Sequence, residues 1–225
     1  MKRDPKISTE NMNERNQENL KGNKSKIRIR AQTPPGTYRM SYVLGGLYLR
    51  ESLIIANEYL KQGDWEKTKK AILAENQLQT NMKKSSARMY REIELRLKTL
   101  SESQLTLLHD GTTEEKRQIL WLACCKSYRL IFDVATELLE EKAARGENQL
   151  LTSDYEAFYT KKALKSEKLQ KLKDTTRTKL RNVTFKIMRE ADIINNDHEI
   201  LPQLLSKNVQ RVVEDESPQL LTIYP

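Results

Sequence analysis

From Tyr42 to Arg145, large apolar residues recur at three- to four-residue steps, and charged residues fill the positions between them. That is the period of amphipathic α-helices with one buried face. Leu47, Leu53, Ile54 and Leu60 define a first helix over about 46–61. Gly63 is placed to end it, and Asp64 to cap a second helix over 65–76. A polar turn leads to a third helix over 85–100, where Met89, Tyr90, Ile93, Leu97 and Leu100 share one face and Arg88 and Arg91 lie on the other. Ser101-x-x-Gln104 and Thr112-x-x-Glu115 have the spacing of capping boxes. They open a short helix and a long helical region over 114–145, whose buried side holds Ile119, Leu120, Leu122, Ala123, Leu130, Ile131, Val134, Leu138 and Leu139. The pattern leaves open whether that region is one helix or two, broken near Lys126 and Ser127.

Beyond Gly146 the elements shorten. Ser153-x-x-Glu156 is placed to cap a helix running to about Leu164, a Lys-rich segment occupies 166–172, and Asp174 is placed to cap a helix over 175–192. On that last helix Leu180, Val183, Ile187 and Ala191, at spacings of three, four and four, make one narrow apolar stripe. In the tail, 199–201 and 220–224 are predicted to pair as two small strands around a helix near 205–213. Residues 1–36 carry almost no large apolar side chain and cannot offset the entropy of ordering, so they are expected to be a flexible basic leader. It ends in the breaker Thr33-Pro-Pro-Gly36. The expected division is a leader over 1–36, a helical bundle over 37–147 and a module over 148–225. The fold class is mainly α.

Charge sharpens this picture. The net charge is +9, but residues 1–40 hold +6 and residues 161–191 hold +8, so the remainder is acidic at −5. Two local basic patches on an otherwise acidic chain suit a polyanionic partner. The first includes the basic alternation Lys24-Ser-Lys-Ile-Arg-Ile-Arg30. On the helix 175–192 the polar side is organised: Lys179, Asn182, Lys186 and Arg189 follow at spacings of three, four and three opposite the apolar stripe, with Arg181 beside them. Lys173, Thr175, Thr176 and Arg177 at its start offer hydroxyls, backbone N–H groups and cations to phosphate. A helix before it and short strands after it give the order of a winged helix-turn-helix, whose second helix fits the major groove of duplex DNA. A solvated basic face and a docking face for a protein are the alternatives. A second candidate is the start of the third helix, with Lys83, Lys84, Ser85, Ser86, Arg88 and Arg91, diluted by Glu92 and Glu94; plain bundle packing is its alternative.

Other chemistry finds little support. His109 and His198 are isolated, no Gly-rich phosphate loop occurs, and no nucleophile is set beside a base, so neither catalysis nor a cofactor is expected. Cys124 and Cys125 are adjacent within a helical pattern and point apart, which argues against a disulfide; both are expected to be small buried side chains, and no zinc site is expected. The uncharged stretches 40–49 and 118–125 fall far short of the ~20 apolar residues of a spanning helix. With no apolar N-terminal signal segment, a cytoplasmic location is expected.

Taken in order, Tyr42-Val-Leu-Gly-Gly-Leu-Tyr-Leu-Arg-Glu-Ser52, Gly63-Asp64-Trp65, Glu75-Asn76-x-Leu78-Gln79, Ser85-Ser86-Ala87-Arg88 and Arg91-Glu92-Ile93-x-x-Arg96-Leu97 resemble the BrxA family of BREX bacteriophage-defence systems. Thr175-Thr176-Arg177-x-Lys179-Leu180 and Ile187-Met188-Arg189-Glu190-Ala191 are similar to that family's C-terminal element. The resemblance covers about residues 38–215. It implies a non-enzymatic helical accessory protein with a NusB-like bundle, associated with double-stranded DNA and with other BREX defence proteins. An RNA-binding, NusB-like factor and a protein-only scaffold are the rival expectations.

Overall fold

A computed structural model describes residues 37–225; the expected leader over 1–36 lies outside the described residues. Among the described residues there are eleven α-helices and no strands. After a 3₁₀ turn, Ser41–Leu44, α1 (Leu49–Gln62) is entered through Tyr48 at φ 60° and closed by Gly63 at φ 63°. Asp64 caps α2 (Trp65–Ala74) as predicted, its carboxylate accepting the Lys67 N–H at 2.8 Å. Next comes α3 (Lys83–Leu97), and then α4 (Glu102–Asp110) and α5 (Thr113–Ser127) open with the two predicted capping boxes. From Gln118 to Ser127 every residue of α5 is buried, so it is the central helix on which the others pack. The open question over 114–145 resolves into a break at Tyr128, which is extended at φ −127° and ψ 106°. There α6 (Arg129–Asp133) begins, runs through a π-helical stretch, Val134–Leu139, and continues as α7 (Glu140–Ala144).

The C-terminal third corrects three expectations. First, α8 (Thr152–Ala163) is not capped by Ser153 and Glu156; the Asp154 carboxylate accepts the Leu151 N–H at 2.9 Å, which leaves Glu156 to other partners. After the single-turn α9 (Glu167–Gln170), α10 (Asp174–Glu190) has Lys173 at its N-cap with no side-chain cap bond, and Asp174 lies inside the first turn. Second, then, Asp174 acts on the helix dipole rather than as a cap. Third, the two tail strands do not form. The helix near 205–213 is present as α11 (Lys207–Glu214), but Pro218–Ile223 is 3₁₀, opened by a proline at its start. It is held to α5 by the Trp121 indole donating to the Ile223 carbonyl at 2.9 Å. Glu199 and Ile200 instead make isolated antiparallel bridges to Gln149 and Ile194.

One hydrophobic cluster draws on residues from both sides of position 147, from Tyr42, Leu47 and Ile55 through Trp121 and Tyr128 to Tyr155, Phe185, Ile187 and Met188. Cys124 and Cys125 lie in it as free, buried thiols. The most demanding side chain buried in the protein is Arg96, 1% exposed. Its Nε donates to the Tyr128 hydroxyl at 2.9 Å and its Nη1 to the Gly46 carbonyl at 2.6 Å. Glu92 Oε1 faces Nη2 at 3.9 Å and accepts the Tyr128 hydroxyl proton, while the Tyr48 and Tyr128 rings lie 5.5 and 5.2 Å from the guanidinium carbon. Among the described residues, no helix is long and apolar enough to cross a membrane.

Removing one partner of a buried, hydrogen-bonded charge cluster costs about 3–5 kcal/mol, because the groups left behind stay buried. Arg96→Ala is therefore expected to lower unfolding free energy by roughly that amount in urea denaturation. Arg96→Lys should not restore it, since a single ammonium cannot span the Tyr128 hydroxyl and the Gly46 carbonyl. A loss below ~1 kcal/mol for the alanine variant would contradict the assignment.

Candidate nucleic-acid interface

The basic helix α10 buries Leu180 and Ile187, and Ala191 just past its end, as the spacing predicts, but the apolar face is wider than one stripe. Thr184, Phe185 and Met188 are also buried, while Val183 is only half-buried. The cause is α8, whose Tyr155 packs edge-on against Phe185 with ring centroids 5.9 Å apart. On the other side Lys173, Thr175, Lys179, Asn182 and Lys186 are exposed, with Thr176 and Arg189 half-buried. The predicted polar face is thus present, but its cations differ in what they are free to do.

Arg177 and Arg181 are structural. Glu156, on α8, takes Arg177 with one carboxylate oxygen and Arg181 with the other, the latter at 2.9 Å. Arg177 also lies 4.7 Å above the Tyr159 ring. Two turns of α10 are thereby clamped to α8. At the far end Lys186 pairs with Glu190 at 3.6 Å, and Glu190 also accepts the Leu47 N–H at 2.5 Å. A Cβ on Gly46 would stand 2.5 Å from that carboxylate, so a larger residue there would push the Glu190 side chain aside. Arg189 contacts His198.

Lys161, Lys165, Lys168, Lys173 and Lys179 are all exposed and have no ion pair among the described residues. They run from the end of α8 across α9 into the first half of α10. The uncommitted positive charge therefore sits nearer the start of α10 than the sequence spacing suggested. The helical spacing does not single out Lys161, Lys165 and Lys168, although the charge excess over 161–191 contains them.

After α10 the chain turns back on itself. Asn195 N–H donates to the Glu199 carbonyl, Leu201 N–H to that of Ile193, and Ile200 N–H to that of Asn148. Residues 198–200 are thus laced between 148–150 and 193–195. The tip of this turn carries Asp197 and Glu199 rather than lysines.

The second candidate is only partly assembled. Lys83, Lys84, Arg88 and Arg91 are exposed and Ser85 is half-buried, but Ser86 is 3% exposed and faces the core, so it is withdrawn as a contact. Glu92 is not a diluting surface acid; it belongs to the Arg96 cluster and accepts from Ser41. Among the described residues, no group of His, Cys, Asp and Glu could hold a metal ion.

Residues 36–217 match the family model described as BrxA. The chain belongs to the BrxA family. It is similar to the BREX protein BrxA of Bacillus cereus (strain H3081.97), 30% identical over 150 residues, which cover 67% of this chain and 74% of that protein. The BREX protein BrxA of Escherichia coli O9:H4 (strain HS) is 27% identical over 154 residues, 68% of this chain and 72% of that one. Among solved structures, an uncharacterized protein from Magnetospirillum magneticum superposes with a TM-score of 0.70 at 21% identity, over 83% of this chain and 97% of the other. At that identity the likeness establishes a shared fold alone. The family match begins at Gly36, where the breaker motif ends.

The orientation of α8 depends on Asp154 and the nearly buried Lys142. Lys142 Nζ donates to Asp154 at 2.9 Å and to Glu147. Burial alone would raise the Asp154 pKa, but the Lys142 hydrogen bond and the Leu151 N–H outweigh it and hold the carboxyl below its ordinary value. A carboxyl depressed in the folded state adds stability that is complete above its unfolded pKa, about 3.9, and is lost as pH falls through the folded value. Asp154→Asn is expected to lower the melting temperature at pH 7 and to remove part of the further loss below about pH 4. Thermal melts at pH 7 and pH 3 check this; equal melting temperatures for variant and wild type at pH 7 would refute it.

Proposed function

We propose that this BrxA-family chain is a non-enzymatic, duplex-DNA-binding member of a BREX phage-defence system, held mainly through phosphates by the α8–α9–α10 turn and the first half of α10. The observation that carries this is the separation of cations into two sets. Arg177, Arg181 and Lys186 are occupied by acids, whereas Lys161, Lys165, Lys168, Lys173 and Lys179 form no ion pair among the described residues. Long side chains clustered without counter-charge raise the folded state's self-repulsion, and a polyanion relieves it.

The order of elements supports a winged helix-turn-helix module. The segment 148–150, α8, α10 and the laced turn 193–201 follow one another as first strand, first helix, second helix and wing would, and 198–200 lies in the middle as the third strand does. The acidic tip makes this wing a poor phosphate contact. The NusB-like character of the bundle rests on the sequence resemblance.

Affinity for a fluorescein-labelled duplex, followed by anisotropy as salt is raised, tests the proposal. Each phosphate neutralised on duplex DNA contributes a slope of about 0.9 in log affinity against log salt. Five engaged lysines predict a slope near 4.5, and so a roughly 500-fold loss between 50 and 200 mM salt. Lys168→Glu, Lys173→Glu and Lys179→Glu combined should abolish binding while leaving helicity by circular dichroism unchanged. Wild-type affinity in that triple variant would overturn the assignment, and tighter binding to single-stranded RNA would move it to the RNA class.

Glu156→Gln supplies an independent check. It releases Arg177 and Arg181 toward phosphate, so duplex affinity should rise several-fold with a steeper salt slope. The half-exposed clamp costs no more than about 1 kcal/mol to lose. Weaker duplex binding by this variant would contradict the division of cations drawn above.

A further inference from the structure

Between the start of α8, the middle of α10 and the laced turn lies a pocket of about 150 Å³, lined by Thr152, Arg181, Asn182, Phe185, Arg189 and His198. We propose that this pocket seats one phosphoryl group of the DNA backbone, and that His198 and Arg189 contact it. The proposal rests on the duplex-binding function above and adds a specific subsite to it.

The lining is that of an oxyanion site. Two guanidiniums, a side-chain amide, a hydroxyl and an imidazole converge, and no carboxylate lines the space. Thr152 opens the twelve-residue α8, whose positive end therefore faces the pocket's rim. A bound water accounts for roughly 30 Å³, so the space suits a tetrahedral group of about five heavy atoms. Phe185 forms an apolar floor, which strengthens charge-assisted hydrogen bonds made above it.

His198 is held in place from three sides. Its carbonyl accepts the Leu150 N–H at 2.9 Å, its ring meets Phe185 edge-on with centroids 4.9 Å apart, and its Nε2 lies 3.2 Å from Arg189 Nη1. A guanidinium has only donors, so Nε2 acts as the acceptor in that contact. The backbone is left-handed at φ 63°, a conformation that histidine adopts infrequently. A phosphate oxygen, itself only an acceptor, would replace Nε2 as the partner of Arg189, and the imidazole would then contact the phosphate by donating a ring N–H.

The surrounding charges decide which source of phosphate fits. Glu156 already engages Arg181 from α8, and the Glu199 carboxylate is taken by the Asn195 amide. Arg189 is then the main cation left for the anion, too little to hold free phosphate tightly. Lys179 lies on the same exposed face of α10, so a DNA strand held by the lysines of the turn would present its phosphate here at high effective concentration.

The chain has only two histidines, His109 and His198, so imidazole ¹H–¹⁵N spectra give a direct readout. Titrating the full chain with a twelve-base-pair duplex should shift the His198 signals and leave those of His109 still. Sodium phosphate, matched in ionic strength with sodium chloride, should shift His198 only at millimolar concentration. Arg189→Gln should weaken duplex binding about five- to tenfold and reduce the salt slope by about one. His198→Asn, which tolerates the left-handed backbone, should weaken binding with the slope unchanged. If wild type binds duplex while His198 stays still and Arg189→Gln binds normally, the subsite is wrong and the duplex-binding function stands. Absence of duplex binding by wild type would sink that function itself, and a His198 response to free phosphate in that case would overturn DNA as the source.

Discussion

A guanidinium enclosed in a helical bundle must find acceptors in the protein or destabilise the core around it. Arg96 finds them in Tyr128, at the break between α5 and α6, and in the carbonyl of Gly46 ahead of α1. Those two contacts tie the central helix to a loop that has no regular structure of its own. The same loop offers the Leu47 N–H to Glu190 at the end of α10. A continuous path of polar contacts thus runs from the middle of the bundle to the basic helix, and Tyr42, hydrogen-bonded to Thr184, lies beside it within the core. The position of α10 relative to the bundle follows from this chain of contacts together with its buried apolar face, Leu180, Phe185, Ile187 and Met188.

The acids around α10 have a positioning role. Glu156 clamps its start to α8, and Glu190 fixes its end to the loop before α1. Each acid consumes cations that charge counting alone would assign to a partner. Around α10, the lysines left without an ion pair are those of the α8–α9–α10 turn and the first half of the helix. In membership of the BrxA family this arrangement acquires a context, since the relatives it resembles are named as BREX proteins.

Much of the helical framework was legible because its signals are local. Capping boxes at Ser101 and Thr112, the Asp64 cap and the left-handed Gly63 are each decided within four residues, and the structure places them as expected. The break at Tyr128 was not legible, because both sides of it are buried and periodicity is lost when every face is apolar. The tail strands failed because their partners are distant: Ile223 is bound by Trp121, and Glu199 by Gln149. In the candidate site, the exposed face of α10 was read correctly from its spacing. Glu156 reads as part of a cap and His198 as isolated, and Arg96 carries no signal of its burial, since the partner of each lies 25, 9 or 32 positions away.

The central claim is that duplex DNA meets the turn before α10 and the first half of that helix, and leaves the start of α3 free. Backbone amide hydrogen exchange with and without a short duplex tests this most directly. The account predicts slowed exchange across 161–182 on adding DNA, with 83–91 unchanged. Protection confined to 83–91, with 161–182 exchanging as in the free protein, would contradict it.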